Sequence, residues 1–421
     1  MFILVDANSF FCHCEKLFRP DLANREVVVL SNNDGCVVSA TRKVKQELGI
    51  KTGQPFFEIK EQCRKNNVAT FSSNFSLYTK ISKRMSDILK RYSNHVEVYS
   101  IDESFIMLPN YTNLDWKEFG KEIKDEVERI LGMPVSVGIA KTKALSKICN
   151  HIAKKGSGVC YFSSDEEMDN LFSNLSVKEI WGIGKASANK LRMYGIKTVL
   201  DFKNYKNQNN IKKIITKVGL QVHQELNGEI CFSLNENPKA RKSIMCSRTF
   251  SKAVYDLKDL ERKVASFITN AALKLRNEKG KTSCIEIFLI KKTYQNDLEP
   301  TDRISNFVSK KIKVELATNN TFSLIRISLA LLKEIFENAS SYKKAGVILS
   351  NISHETLQLS LFEQENEKEK KITNVVDQIN ARLGRDLVYS AACLGEKEEF
   401  YKQDYCSPRY LTSWDDLPVA G

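Results

Sequence analysis

Apolar residues fall in short runs separated by polar and charged ones. Phe2-Ile3-Leu4-Val5 is a continuous run that closes on Asp6. It is too short for a membrane span and lacks signal-peptide flanks, so it predicts a buried central strand with Asp6 at its end. Val27–Leu30 predicts another strand. Val96-Glu97-Val98-Tyr99 alternates, and Phe105–Leu108 returns, which predicts a hairpin with Ser100, Asp102 and Glu103 at its tip. Val135–Ala140 predicts a further strand. Between these runs the apolar period is helical: Phe11, Cys14 and Phe18; then Tyr78, Ile81, Met85 and Ile88 after Ser72-Ser73-Asn74. The same period joins Trp116, Phe119, Ile123, Val127 and Leu131, and later Leu145, Ile148, Cys149 and Ile152. Thr41–Leu48 reads as a basic helix closed by Gly49. The expected class is α+β, with helices on one face of the sheet.

Past residue 160 the pattern changes. Ser164 and Glu167 form a capping box, and Trp181-Gly182-Ile183-Gly184-Lys185 separates two helical stretches, Val177–Ile180 and Ala186–Tyr194. A Gly-x-Gly turn of this kind lets backbone N–H groups approach a DNA phosphate, although a plain turn has the same sequence. Cys231–Lys242 reads as an exposed linker. From Lys239 to Lys292 there are fourteen basic residues against five acidic, interrupted by the strand-like Cys284–Ile290. That imbalance, with Arg241, Lys242 and Arg248 at its start, suits phosphate-backbone contact more than a solvated face. Gln358-Leu359-Ser360-Leu361-Phe362 precedes a dense mixed-charge stretch, Glu363–Lys371, and reads either as an edge strand or as a docking peptide.

Composition narrows the function classes. With 421 residues the chain accommodates two to four domains, and its formal charge of +13 points to a polyanionic partner, nucleic acid before an acidic membrane face. Eleven scattered cysteines without a repeated spacing suit reduced cytosolic thiols. Cys12-His13-Cys14 has no second pair to complete a zinc site. Asp102 and Glu103 at a hairpin tip read as a solvated turn or as two like charges that a divalent cation relieves. Asp6, at the end of a strand able to lie alongside, would complete a three-carboxylate, two-metal site serving in-line displacement at phosphorus.

The chain resembles the Y-family translesion DNA polymerases, and within them the UmuC-like branch. The resemblance is carried by Val5-Asp6-Ala7-Asn8-Ser9-Phe10-Phe11, Leu30–Val37, Phe71–Phe75, Tyr99–Phe105, Val137–Lys143, Trp181–Gly184, Ile196–Asp201, Lys343–Val347 and Ser407-Pro408-Arg409-Tyr410, in the family's order over almost the whole chain. The Ser-Asn-Asn-Asp-Gly-Cys stretch at 31–36 and the Ser-Pro-Arg-Tyr tail mark the UmuC-like branch. The resemblance implies a palm (1–24 and 73–165), fingers (25–72), a helical thumb (166–232), a linker (233–242), a little finger (243–350) and a tail (351–421).

It further implies that Asp6, Asp102 and Glu103, with the Ala7 carbonyl, hold two Mg²⁺ ions, and that Phe11 is the steric gate against ribonucleotides. The incoming triphosphate would meet Ala7, Phe10, Lys154 and one or more of Arg42, Lys43 and Lys45. Here the sequence departs from many relatives, whose fingers offer Tyr and Arg where this chain has Lys43 and Gln46. The turn at Gly182, Ile183, Gly184 and Lys185, together with Arg241, Lys242 and Arg248, would bind DNA, and Gln358, Leu359, Leu361 and Phe362 would bind the sliding clamp. Primer–template DNA and dNTP are the implied substrates. A processed UmuD-type dimer and a RecA filament are the implied partners, in the cytoplasm at the nucleoid, with no membrane. The expected reaction is error-prone nucleotidyl transfer from dNTP to a primer 3′-hydroxyl in the SOS damage response. A nucleotidyl cyclase, which uses a similar carboxylate hairpin, and a non-catalytic DNA-bound scaffold are the alternative classes.

Overall fold

The computed structural model describes residues 1–235, 240–292, 306–354, 367–383, 387–394, 403–411 and 413–417. The chain divides into two compact units, 1–237 with 403–421, and 238–402.

In the first unit the elements run β1 (Phe2–Ala7), α1 (Phe10–Lys16), β2 (Val27–Leu30), β3 (Val37–Ala40), α2 (Arg42–Glu47), α3 (Phe56–Lys65), β4 (Ala69–Ser72) and α4 (Phe75–Leu89). They continue with β5 (Val96–Val98), β6 (Glu103–Met107), α5 (Trp116–Leu131), β7 (Val135–Ala140), α6 (Lys143–Ala153) and β8 (Val159–Tyr161). Four helices follow: α7 (Asp165–Asn174), α8 (Lys185–Met193), α9 (Val199–Lys203) and α10 (Gln208–Leu226).

The main sheet has the order β5-β6-β1-β7-β8. The apolar run at the N-terminus takes its centre because β1 is buried at every position and pairs antiparallel with β6 and β7. Its register places Asp6 directly opposite Glu103. The Ala7 N–H extends the pairing by donating to the Asp102 carbonyl at 2.9 Å.

The helices do not all share one face, contrary to the expectation from periodicity. Along β7, Val137 and Ile139 meet Gly120 of α5, whereas Gly138 faces the backbone of α6. Alternate strand residues point to opposite sides, so α5 and α6 cover opposite faces. The cause is Gly138. A Cβ there would lie 2.3 Å from both Asn150 N and Ser146 O, so only glycine lets α6 sit this close. Asn150 fixes the contact by donating to the Ser136 and Leu4 carbonyls at 2.7 and 3.3 Å. Gly138→Ala is therefore expected to destabilise the first unit by about 3 kcal/mol, read as a lowered denaturation midpoint, because backbone cannot yield as a side chain would.

A second sheet, β3-β2-β4, carries the segment assigned to fingers. β2 is buried on both sides: Val27 and Val29 join the core of the main sheet, while Val28 and Leu30 join a separate core with Val44, Phe56 and Ile59. The small helices α7–α10 share a third core with the outer face of α6.

The second unit runs β9 (Ser243–Val254), α11 (Leu257–Asn277), β10 (Gly280–Lys291), β11 (Phe307–Thr318), α12 (Thr321–Ile335), β12 (Tyr342–His354) and α13 (Glu367–Leu383). The strands form an antiparallel sheet in the order β11-β10-β12-β9, and α11 and α12 pack on Ile285, Ile287, Leu289, Ala345, Val347 and Leu349. Helix α13 is held by a two-pronged Arg276–Asp377 pair at 2.6 and 2.9 Å.

The segment 351–421 does not stay together as one tail. Its beginning completes β12, α13 lies in the second unit, and Gln403 onward belongs to the first.

Candidate active site

The strand ends and the β3-β2-β4 sheet enclose a pocket of about 520 Å³ lined by Asp6, Asp102, Phe11, Arg42, Lys45 and Lys154, with Ala7, Asn8, Ser9, Phe10, Val38, Ser39, Gln46, His151 and Lys155. Asp6 is 4 % exposed, and the Lys154 ammonium stands 2.6 Å from its Oδ2. Burial pushes the Asp6 carboxyl up to about 7; Lys154 opposes the rise and neighbouring Glu103 adds to it. Asp102 accepts from the Ser100 hydroxyl at 2.5 Å. Both carboxylate oxygens of Glu103 accept from Lys147 Nζ, Oε1 at 3.1 Å and Oε2 at 3.0 Å.

The structure thus brings Asp6 and Glu103 into contact and puts Asp102 on the wall of the same pocket. Among the described residues no three carboxylates, imidazoles or thiols stand close enough to share an ion in this arrangement. Lysines occupy the carboxylates instead. The donor set nonetheless suits a divalent cation with oxygen ligands: it is all carboxylate and carbonyl, and Asp6 is buried beside like charge.

An acid whose folded value lies above its ordinary value of about 4 holds its proton more tightly when folded. Stability should accordingly fall as pH rises from about 4 to about 7 and then level off. Urea denaturation across that range should show this slope in the wild type and lose it in Asp6→Asn.

The basic residues sort by helix face. Arg42, Lys45 and Gln46 of α2 line the pocket, and Arg42 donates to the Lys154 carbonyl at 3.2 Å. Lys43 does not line it. Phe11 stacks on Tyr78 with centroids 4.6 Å apart and meets Phe75 edge-on at 5.6 Å, so it serves both the core and the pocket wall. Phe10 lines the pocket too, but is only 3 % exposed.

One row of contacts was missed in the sequence although its spacing was visible. Along α6, Lys143, Lys147, His151 and Lys154 recur at four, four and three residues, which is one helix face. They meet Glu97, Glu103, Glu179 and Asp6 respectively. Lys147 also lies over the Tyr99 ring at 4.3 Å and the Trp181 ring at 5.6 Å, and Trp181 Nε1 donates to the Tyr99 hydroxyl at 3.1 Å. The turn before α8 is thereby tied to Glu103.

Trp181 opens the Gly182-Ile183-Gly184 turn. Gly182 has φ +81°, a Cβ on either glycine would meet nothing within 4 Å, and Ile183 is buried beneath. Lys185 begins α8, whose first turn has no side-chain cap. The stretch Val177–Glu179 is a single 3₁₀ turn rather than an α-helix. In the second unit, Arg241 pairs with Glu278 at 3.0 Å, Lys242 is exposed, and Arg248 is half-buried opposite Ala345, on the helix-facing row of β9. Gln358, Leu359, Leu361 and Phe362 lie outside the described residues. All eleven cysteines are free thiols; Cys12 and Cys14 are buried in the core.

The fold and this site define a class: the architecture is that of the Y-family DNA polymerases. A Y-family polymerase chimera of Dbh and Dpo4 superposes with a TM-score of 0.66 over 84 % of this chain and 99 % of that one, at 24 % identity. A ternary complex of the Dbh polymerase with partially disordered substrates gives 0.52, with the same coverage, at 23 % identity. The model of the impB/mucB/samB family matches residues 5–151, that of its C-terminal domain matches 241–361, and a domain of unknown function, DUF4113, matches 370–420. MucB of Salmonella typhimurium is 36 % identical over 100 % of this chain and 99 % of its own. UmuC of Salmonella typhimurium strain LT2 is 37 % identical over 99 % of each. DNA polymerase IV of Desulfatibacillum aliphaticivorans is 26 % identical over 93 % of this chain and 96 % of its own. The chain belongs to the impB/mucB/samB family.

Proposed function

We propose that the chain extends a primer on a DNA template, transferring a nucleotidyl group from a deoxynucleoside triphosphate to the primer 3′-hydroxyl. It is a Y-family translesion DNA polymerase, an error-prone DNA-directed nucleotidyltransferase. The observation that carries this reading is the pocket itself: buried carboxylate at one end, a flat aromatic on its wall and four basic side chains around it.

Asp6, Asp102 and Glu103, with the Ala7 carbonyl, would hold two Mg²⁺ ions. Bound there, such ions activate the hydroxyl and neutralise charge on the leaving pyrophosphate. Arg42 and Lys45 from the fingers side and Lys154 and Lys155, just past the end of α6, give the triphosphate a positive wall, which Lys43 does not line. Phe11, fixed by Tyr78 and Phe75, leaves room for a deoxyribose and crowds a 2′-hydroxyl. The open turn at Gly182–Gly184 and the N-terminus of α8 present backbone N–H groups to a DNA phosphate. Lys185, Arg241 and Lys242 add charge there and along the second unit. Recruitment by a sliding clamp through Gln358–Phe362, and work with a processed UmuD-type dimer and a RecA filament during the SOS response, complete the proposal.

Among the described residues no helix is long and apolar enough to cross a membrane. The test is extension across an abasic site by the purified chain, with and without clamp and accessory proteins. Synthesis opposite the lesion supports the reading. Failure in every combination, on undamaged template as well, removes it.

A further inference from the structure

We propose that residues 403–411 are an intramolecular strap that locks the fingers sheet to the palm and backs the nucleotide pocket from behind. This gives a role to the end of the segment matched only as a domain of unknown function, and it rests on the polymerase reading above.

The segment grips both crossings between the two sheets. At the return crossing, β4 ends at Ser72, whose N–H donates to the Tyr405 carbonyl at 2.9 Å, while the Tyr405 N–H donates to Ser72 Oγ at 3.1 Å. Asn74, which caps α4 through Leu77 N, donates from its Nδ2 to Ser407 Oγ at 3.1 Å. At the outward crossing, Phe18 stacks on Tyr410 with centroids 4.7 Å apart and planes 13° from parallel. The 31–36 loop, which feeds β3, is held as well: the Asp404 N–H donates to Asp34 Oδ2 at 2.7 Å. Lys80 of α4 donates to the Leu411 carbonyl at 2.5 Å.

Two aromatics make the strap more than a set of surface contacts. Tyr405 packs edge-on against Phe56 at 5.6 Å, in the fingers core, while Tyr410, five residues on and 5 % exposed, belongs to the palm core. One short segment thus seats a ring in each of two separate cores, so the cores cannot shift past each other without unseating one ring.

The strap also reaches the gate. Glu15 of α1 is fully buried, and Tyr78 donates its hydroxyl to Glu15 Oε1 at 2.5 Å. Burial pushes the Glu15 carboxyl up, and the hydroxyls of Tyr78 and Ser407 pull it back. Tyr78 is the ring on which Phe11 stacks. The strap therefore reaches the pocket wall through α4: Ser407 accepts from Asn74, the cap of α4, and that helix carries Tyr78, on which Phe11 stacks. Val38 and Ser39, on the strand that follows the held loop, line the same pocket.

The test uses the full chain carrying Tyr405→Ala, a second form ending at residue 402, and Tyr405→Phe as the conservative rescue. Hydrogen exchange by mass spectrometry should show about tenfold faster exchange in residues 27–40 and 69–78 for the first two, with the palm strands 2–7 and 103–107 unchanged. Tyr405→Phe should match the wild type, because the ring rather than the hydroxyl fills the fingers core. In single-nucleotide insertion, KM for dNTP should rise about fivefold with kcat within about twofold, and preference for dNTP over rNTP should fall about threefold to tenfold. Unchanged exchange in the fingers overturns the proposal, as does faster exchange throughout the palm. Loosened fingers with unaltered kinetics overturn its pocket half. A wild-type chain without primer extension would instead sink the polymerase reading and leave the exchange result standing.

Discussion

Asp102→Asn should lower the rate of primer extension by about a thousandfold or more, equivalent to about 4 kcal/mol of transition-state stabilisation. Primer–template affinity should change by less than about threefold. The argument is local. Asp102 lines the pocket, and among the described residues its carboxylate accepts only from the Ser100 hydroxyl, a bond that asparagine can also accept. The backbone carbonyl of residue 102 continues to receive the Ala7 N–H, so the register that opposes Asp6 to Glu103 survives. What the substitution removes is a negative charge at the place where the proposed cations would sit against phosphate. Pre-steady-state extension and gel-shift binding on the same preparation separate the two effects. An Asp102→Asn chain that extends primers at the wild-type rate would refute the assignment of the carboxylates.

Phe11→Ala should reduce discrimination against ribonucleotides by about tenfold to a hundredfold, the 1–3 kcal/mol typical of a relieved steric overlap. The readout is the ratio of kcat/KM for dNTP and rNTP on one template. Phe11 also stacks on Tyr78 and meets Phe75, so truncation should cost about 3 kcal/mol of stability. Phe11→Leu, which keeps most of the bulk, should lose little of either. Sugar preference unaltered in Phe11→Ala would take the gate role from this residue.

Much of the site was legible because its parts have local signatures. An apolar run ending in Asp6 and a hairpin tipped by Asp102 and Glu103 are readable as strands, and two strands bearing acids at their ends can become neighbours. The register that sets Asp6 against Glu103 was not readable, since it depends on pairing across about a hundred residues. Nor was the face taken by α6: Gly138 looks like any small strand residue until α6 is packed against it. That Arg42 and Lys45 line the pocket and Lys43 does not follows from the placement of a short helix, which periodicity leaves undetermined over six residues. Lys147 escaped notice because a lysine on an apolar helix passes for a solvated one, and only folding shows it enclosed by Tyr99, Phe105 and Trp181. In the second unit Cys284–Ile290 was evident. The lysine-rich β11 alternates Val308, Ile312 and Val314 with polar residues, yet its charge conceals the strand.

The central strand of the second sheet, β2, sends alternate side chains into two cores, with Val27, Val28, Val29 and Leu30 all at 0 % exposure. Swinging a sheet anchored in this way would strip at least two valines at a cost of about 3–5 kcal/mol, which disfavours an open position. Enzymes that copy accurately often couple incorporation to closure of a mobile lid over a well-formed base pair. Here such a closure would be costly, so a distorted template base would meet nearly the same walls as an intact one.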